Sequence, residues 1–255
     1  MGCPVFIYKF LFYPENTYIG KSAGSQDTTG HGNVGVGHVA CTGGSSFSGN
    51  NNIGIGQYTL DAATSAEFNV CAGYYAGKKV TTAGRNVLLG VNSGQNITTG
   101  GNNICLGSES GNDLTTGHGN VALGKNALDT CTTGTLNVSV GRDSGTTVTS
   151  GYNNVFVGYN NRGVTDGQAN TYLGANLSSS NSNNFCRIYQ GNIIASYGPS
   201  DSGWSFSSDG RDKTDIVDLT LGLDFINKIK PRKFRWDFRD PDRFPIDAKD
   251  NPDVL

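Results

Sequence analysis

Ten copies of one short phrase recur along this chain: Asn, a β-branched residue, any residue, an apolar residue, Gly. They begin at Asn16, Asn33, Asn52, Asn69, Asn86, Asn103, Asn120, Asn137, Asn154 and Asn170, so the step is 17 residues except for one of 19 and a last one of 16. A unit of that length cannot bury a core alone, and a fixed period of this size marks a chain that stacks one small unit on the next. Composition agrees: 37 glycines, a single Met and 36% hydrophobic residues in 255 argue against a compact globule with a thick core.

The first position after each Asn is Val, Ile or Thr, and the third is Ile, Val, Leu or Ala, while the position between them ranges from Gly35 to Phe156. This period of two predicts one short strand per coil, with the two uniform columns, Leu106 and Val121 among them, facing inward. Gly in the fourth position of all ten copies, Gly20 to Gly174, suits a backbone corner that needs positive φ or has no room for a Cβ. Segments such as Ile97-Thr98-Thr99-Gly100 and Leu114-Thr115-Thr116-Gly117 predict a second short strand closed by a second corner. The Asn column is expected to stack coil on coil through its side-chain amides and to tolerate the left-handed conformation of a corner. No proline occurs from Glu15 to Gly198, as expected where backbone N–H groups serve a ladder. At a rise of about 4.8 Å per coil, ten coils make a rod roughly 45–50 Å long.

A formal charge of −2 gives no basic footprint for nucleic acid, and no run of 18 apolar residues is present to insert in a membrane. The apolar segment Cys3 to Tyr13 lacks both a basic n-region and a small-residue cleavage site, so it reads as the damaged edge of a preceding segment or a misassigned start rather than a signal sequence. Six cysteines are scattered along the chain with no C-x-x-C pair, which supports neither a disulfide framework nor a zinc site and leaves them as small buried hydrophobes. His31, His38 and His118 sit at or near corners without ligand spacing, so neither a metal nor a cofactor is expected.

The polymer changes character near residue 209. Asp209 to Leu255 carries 11 acidic and 10 basic residues, 21 of the 40 charges of the chain, against 19 in the 208 residues before it. A Ser/Asn-rich stretch from Ser178 to Asn184 and a strand-like Phe185 to Tyr189 precede the change. Beyond it, Thr220 as N-cap, Leu223, Ile226 and Ile229 on one face and Pro231 as a stop predict a helix, and Phe234, Trp236 and Phe238 alternating with charges predict a strand. The organisation expected is an N-terminal edge over 1–15, a repeat stalk over 16–178, a transition over 179–207 and a separate module over 208–255.

Three groups of residues in that module occur in a recognisable order: Ser208-Asp209-Gly210-Arg211-Asp212-Lys213, then Gly222-Leu223-Asp224-Phe225-Ile226, then Lys230-Pro231-Arg232-Lys233-Phe234-Arg235-Trp236. Together they resemble the opening of the intramolecular chaperone domain of the endosialidase type, peptidase family S74, which ends many bacteriophage tail fibres and spikes. The Asn-x-x-x-Gly repeats are similar to stalks that precede this domain and, more loosely, to the β-roll heads of trimeric adhesins. The resemblance implies a homotrimer on a virion or other extracellular surface, facing a host receptor or glycan, and a chaperone domain of which 208–255 is the N-terminal part. It also implies self-cleavage of the Ser208–Asp209 bond, with Ser208 as nucleophile and Lys213 as base. A lysine does this only when burial lowers its pKa toward neutrality, which Asp212 beside it opposes.

The expected architecture is thus an all-β solenoid or β-roll stalk of about ten coils, trimeric by resemblance, followed by the start of a small α+β module. Nothing in the repeat supplies an acidic pair, a Ser/His/Asp set or a phosphate loop, so an enzyme acting on an external substrate is not expected. Two alternatives to a virion fibre stand beside it: a bacterial trimeric surface adhesin, and a monomeric ice-binding solenoid that would display the Thr-Thr columns. Adjacent threonines point to opposite faces, so only one of each pair can be displayed.

Overall fold

The computed structural model describes residues 15–178, 183–190, 193–201, 203 and 205–208. The expected helix around Leu223 to Ile229, the strand from Phe234 to Phe238 and the segment Cys3 to Tyr13 lie outside them. Each of the ten copies forms one three-residue strand: β1 (Thr17–Ile19), β2 (Val34–Val36), β3 (Ile53–Ile55), β4 (Val70–Ala72), β5 (Val87–Leu89), β6 (Ile104–Leu106), β7 (Val121–Leu123), β8 (Val138–Val140), β9 (Val155–Val157) and β10 (Thr171–Leu173). Consecutive strands pair in parallel with no slip, position one on position one, as in Ile104↔Val121, Cys105↔Ala122 and Leu106↔Leu123. The sheet then continues through β11 (Cys186–Gln190), parallel to β10, and turns antiparallel through β12 (Ile193–Tyr197) and β13 (Ser205–Ser208). The result is an all-β parallel solenoid of ten coils with a three-stranded end.

The buried Asn column fixes the coils. Asn103 is typical: its backbone N–H and its Nδ2 both donate to Oδ1 of Asn86, at 2.9 and 3.2 Å, while the Nδ2 also donates to the carbonyl of Gly117 at 2.9 Å. Its own Oδ1 accepts from the backbone N–H and Nδ2 of Asn120 at 3.0 and 3.1 Å. The bond to residue i+14 closes one coil across its interior, and the bonds to Asn i±17 tie that coil to the next. Fully satisfied amides can be buried, and those from Asn33 to Asn154 are; Asn170 is buried as well, with its Nδ2 unpaired.

Because Asn points inward and strand side chains alternate, the residue two positions on points inward as well. The structure therefore reverses the expected facing of the strand. The middle column (Tyr18, Cys71, Leu88, Cys105, Ala122, Phe156, Tyr172) is buried, whereas the uniform columns, including Leu106 and Val121, lie half-buried or exposed on the outside. The middle column varies because each residue matches the other inward side chains of its coil and its neighbours. A Cβ on Gly35 would lie 2.8 Å from Tyr18 Cδ1, and one on Gly54 2.5 Å from Cys41 Sγ. Phe156 and Tyr172 stack with centroids 5.2 Å apart. Leu88, Ile97, Leu114 and Leu128 belong to the same buried cluster, a core one side chain thick.

The second expected strand is instead a bend. Thr98, Thr99 and Gly100 all point their N–H groups at one acceptor, the Thr115 carbonyl of the next coil, at 2.9, 3.3 and 3.2 Å, and Thr98 Oγ1 joins them at 3.1 Å. Three converging donors need a curved backbone, which a strand does not offer. The left-handed conformations also differ from expectation, since they fall on the residue before the Asn and not on the Asn: Arg85 has φ 61°, Asn102 59° and Leu136 56°. The corner glycines behave as expected. Gly107 has φ 139°, and a Cβ there would stand 2.6 Å from the carbonyl of Gly124.

Two expected outcomes follow for thermal melts. Asn103→Ala leaves the N–H of Asn120 and the carbonyl of Gly117 without their buried partners and should cost about 3 kcal/mol, at roughly 1–3 kcal/mol per orphaned group, while Thr99→Ala stays within about 0.5 kcal/mol. Ala122→Asp buries a lone carboxylate and should lower Tm far more than Val121→Asp next to it; the reverse order would put the facing of the strand back to front.

Candidate functional site

Ser208 is the last residue of β13, and its backbone pairs with Ile193 of β12 at the end of the sheet. Asp209, Asp212 and Lys213 lie outside the described residues, so the structure places one member of the expected pair and not the other. What it adds is the place of Ser208, on whose carbonyl side the expected scissile bond lies, in β13, the last described strand. The sheet reaches Ser208 because β11 continues the parallel register of β10, Thr171↔Cys186 to Leu173↔Ile188, and the antiparallel pair that follows needs no further coil.

Upstream, the titratable groups have structural surroundings. The thiols of Cys41, Cys71, Cys105 and Cys131 are buried, and burial raises their pKa, to about 12 for Cys41 and Cys105 and about 11 for Cys131. They are free thiols that stay protonated and unreactive in the folded chain. His38 Nδ1 meets Gln57 Nε2 at 3.1 Å, and His31 and His118 are exposed at turns. Among the described residues no three His, Cys, Asp or Glu side chains converge as metal ligands, and no helix is long and apolar enough to cross a membrane.

One polar cluster inside the first coil escaped the sequence reading. Asp27 occupies the column that holds Val80, Ile97 and Leu114 in later coils. Its Oδ2 accepts from Tyr18 Oη at 2.7 Å and from Asn16 Nδ2 at 2.8 Å, and its Oδ1 accepts from the N–H of Gly30 at 2.9 Å. Burial, then the bond to Asp27, raises the Tyr18 pKa well above the ordinary phenol value. This carboxylate satisfies donors of the first described coil. The only signal for it was an acid in an otherwise apolar column.

Two surface features complete the inventory. The first threonine of each pair is committed to the stack: Thr81, Thr98, Thr115 and Thr132 each donate through Oγ1 to the next coil's backbone at 3.0–3.2 Å. Thr82, Thr99, Thr116 and Thr133 form the single exposed file. Farther round the coil, Asn126 Nδ2 donates to Asp143 Oδ1 at 2.9 Å, beside Asp129, whose pKa is raised first by burial and then by the charges of Asp113 and Glu109.

Residues 208–251 match the family model Peptidase_S74, described as chaperone of endosialidase. No curated protein and no solved structure matches the chain. The chain thus joins a β-solenoid to a segment of the endosialidase-chaperone type, which fits a tail-fibre-like structural protein.

The Asp129 environment gives a pH prediction. An acid whose folded pKa lies above its unfolded value opposes folding when ionised, so its penalty is full above the folded pKa and fades as pH falls toward the unfolded value. Asp129→Asn should raise Tm at pH 7 and leave it unchanged near pH 3, as read by calorimetry at the two pH values.

Proposed function

We propose that this chain is the shaft of a trimeric, virion-borne fibre whose C-terminal module drives assembly and is then released by self-cleavage. The observation that carries this reading is the junction of two unlike segments. Thirteen described strands form one sheet from β1 to β13, and Ser208, in the last of them, is also the first residue of the chaperone match. A shaft has to persist after its assembly factor leaves, and a cut at Ser208–Asp209 would release the charged module and leave the thirteen described strands with the shaft.

A solenoid suits the mechanical half of this role. Its coils are nearly interchangeable, each held to the next by strand, Asn and Thr ladders, so stiffness accumulates along the axis. Its weakness is nucleation: no coil is stable before its neighbour forms, and in-register alignment of several chains is slow without a template. A separate folding module supplies that template. The role on a virion, outside the cell, and a receptor or glycan on the host surface belong to the same proposal, as does the chemistry at the junction. There Ser208 acts as nucleophile and Lys213 as base once burial in the assembled module offsets the neighbouring Asp212 and depresses the lysine pKa.

Intact mass spectrometry of the full-length gene product, purified after assembly, tests the reading. The wild type should yield a larger fragment ending at Ser208 and a smaller one starting at Asp209. Ser208→Ala and Lys213→Ala should each remain uncut yet assemble, because nucleophile and base are separate from the Leu223 to Ile229 and Phe234 to Phe238 segments expected to fold the module. Cleavage that survives Ser208→Ala, or an uncut assembled wild type, would contradict self-cleavage at this bond.

A further inference from the structure

The outward columns of the sheet present a surface that a solitary soluble chain has no reason to keep. Positions one and three of ten parallel strands put twenty side chains on one face; eighteen are Val, Ile, Leu or Ala, two are Thr, and none is charged. Ile19, Ile55, Leu89, Ile104 and Val157 are 37–49% exposed there. Most of the other large exposed hydrophobics border this face, including Phe68 and Leu136 just before a strand's Asn and Tyr74, Val91 and Tyr159 just after a corner Gly. Twenty partly or fully exposed side chains form a continuous apolar file along ten strands, and at about 4.8 Å per strand it is longer than the scattered apolar contacts of an ordinary monomer surface and of the extent that a stable interface of roughly 800 Å² per partner needs.

We propose that this face is the surface through which copies of this chain pack against one another, parallel and coil on coil, about the fibre axis; the number of copies, three, rests on the fibre reading above. Three properties of the face select that occupant. Its length is that of the whole stalk, about 45 Å at about 4.8 Å per strand, and a partner that covers it must carry the same apolar period over the same distance. Having no charge or patterned polar group, it offers a foreign partner nothing by which to be distinguished, whereas a second copy matches it by construction.

The third property fixes the register. In the position-three column Ala72 is the one residue smaller than valine, and its coil is flanked by Phe68 and Tyr74, 48% and 42% exposed. With coil four beside coil four, the space above Ala72 receives an aromatic ring of the neighbouring copy. An antiparallel pairing would set that ring against coil seven, where the same column holds Leu123.

Sedimentation of the full-length gene product tests this. The wild type and the exposed-file variants Thr99→Asp and Thr116→Asp should sediment as three chains, while Val121→Asp and Val138→Asp should sediment as one chain that keeps the wild-type far-ultraviolet circular dichroism. Three chains in the two face variants would overturn the surface and leave the fibre reading standing; a one-chain wild type would overturn the assembly itself. A photo-reactive benzoylphenylalanine in place of Tyr74 removes dependence on folding of the Asp variants. In a mixture of isotopically light and heavy chains it should link one copy to residues 68–72 of another, and links confined to its own chain or reaching coil seven would overturn the proposal.

Discussion

A buried asparagine amide, repeated every 17 residues, is the interaction on which the rest of this structure depends. A carboxamide has one oxygen with two lone pairs and one nitrogen with two protons, and the coil uses them along the stack and across the coil. Along the axis, Oδ1 of one Asn takes the N–H and Nδ2 of the next; across the coil, Nδ2 reaches the carbonyl 14 residues on. Neither Asp, which lacks the donors, nor Ser, which lacks the reach, can do both. Interior hydrogen bonds of this kind specify a register because any slip would bury unpaired polar groups along the whole stack.

From that constraint the thin core and the crowded corners follow. The ladder sets a strand spacing at which corner backbones touch, so the fourth position has room for hydrogen alone. The interior accepts one side chain from the strand and a few from the bends, and volume is traded among them. Gly35 shares the one coil of 19 residues with buried Phe47, Gly54 opens the next coil, and Phe156 stacks on Tyr172 where the step shortens to 16. Irregular spacing is absorbed in the bends, while the strands and the Asn column keep their register.

Much of this was legible in the residues. The period, the ten strands, the corner glycines and the stacked Asn amides all follow from spacing and side-chain chemistry. The facing of the strand was misjudged for a physical reason: uniform apolar columns signal an interior only when the other face is wet, and here both faces are apolar. The decisive signal was parity. An Asn that must be buried places every even position after it inside, so Cys105 goes in and Leu106 out. The second strand failed because Thr98 to Gly100 were read by composition, whereas their three N–H groups converge on one carbonyl. Ser208 and Lys213 were legible only by resemblance, since a Ser-Asp pair in a polar stretch carries no geometry of its own. Asp27 was missed because one acid in an apolar column does not show in the sequence which donors it meets.

The account stands or falls on the interior amides, and these can be observed directly. In nuclear magnetic resonance spectra of the uniformly labelled protein, the side-chain amide protons of Asn86, Asn103, Asn120 and Asn137 should exchange with solvent as slowly as the backbone N–H groups of the strands. The exposed Asn51, Asn102 and Asn153 should exchange at the rate of a free amide. Fast exchange in the first set would contradict the ladder, and with it the facing of every strand in the stack.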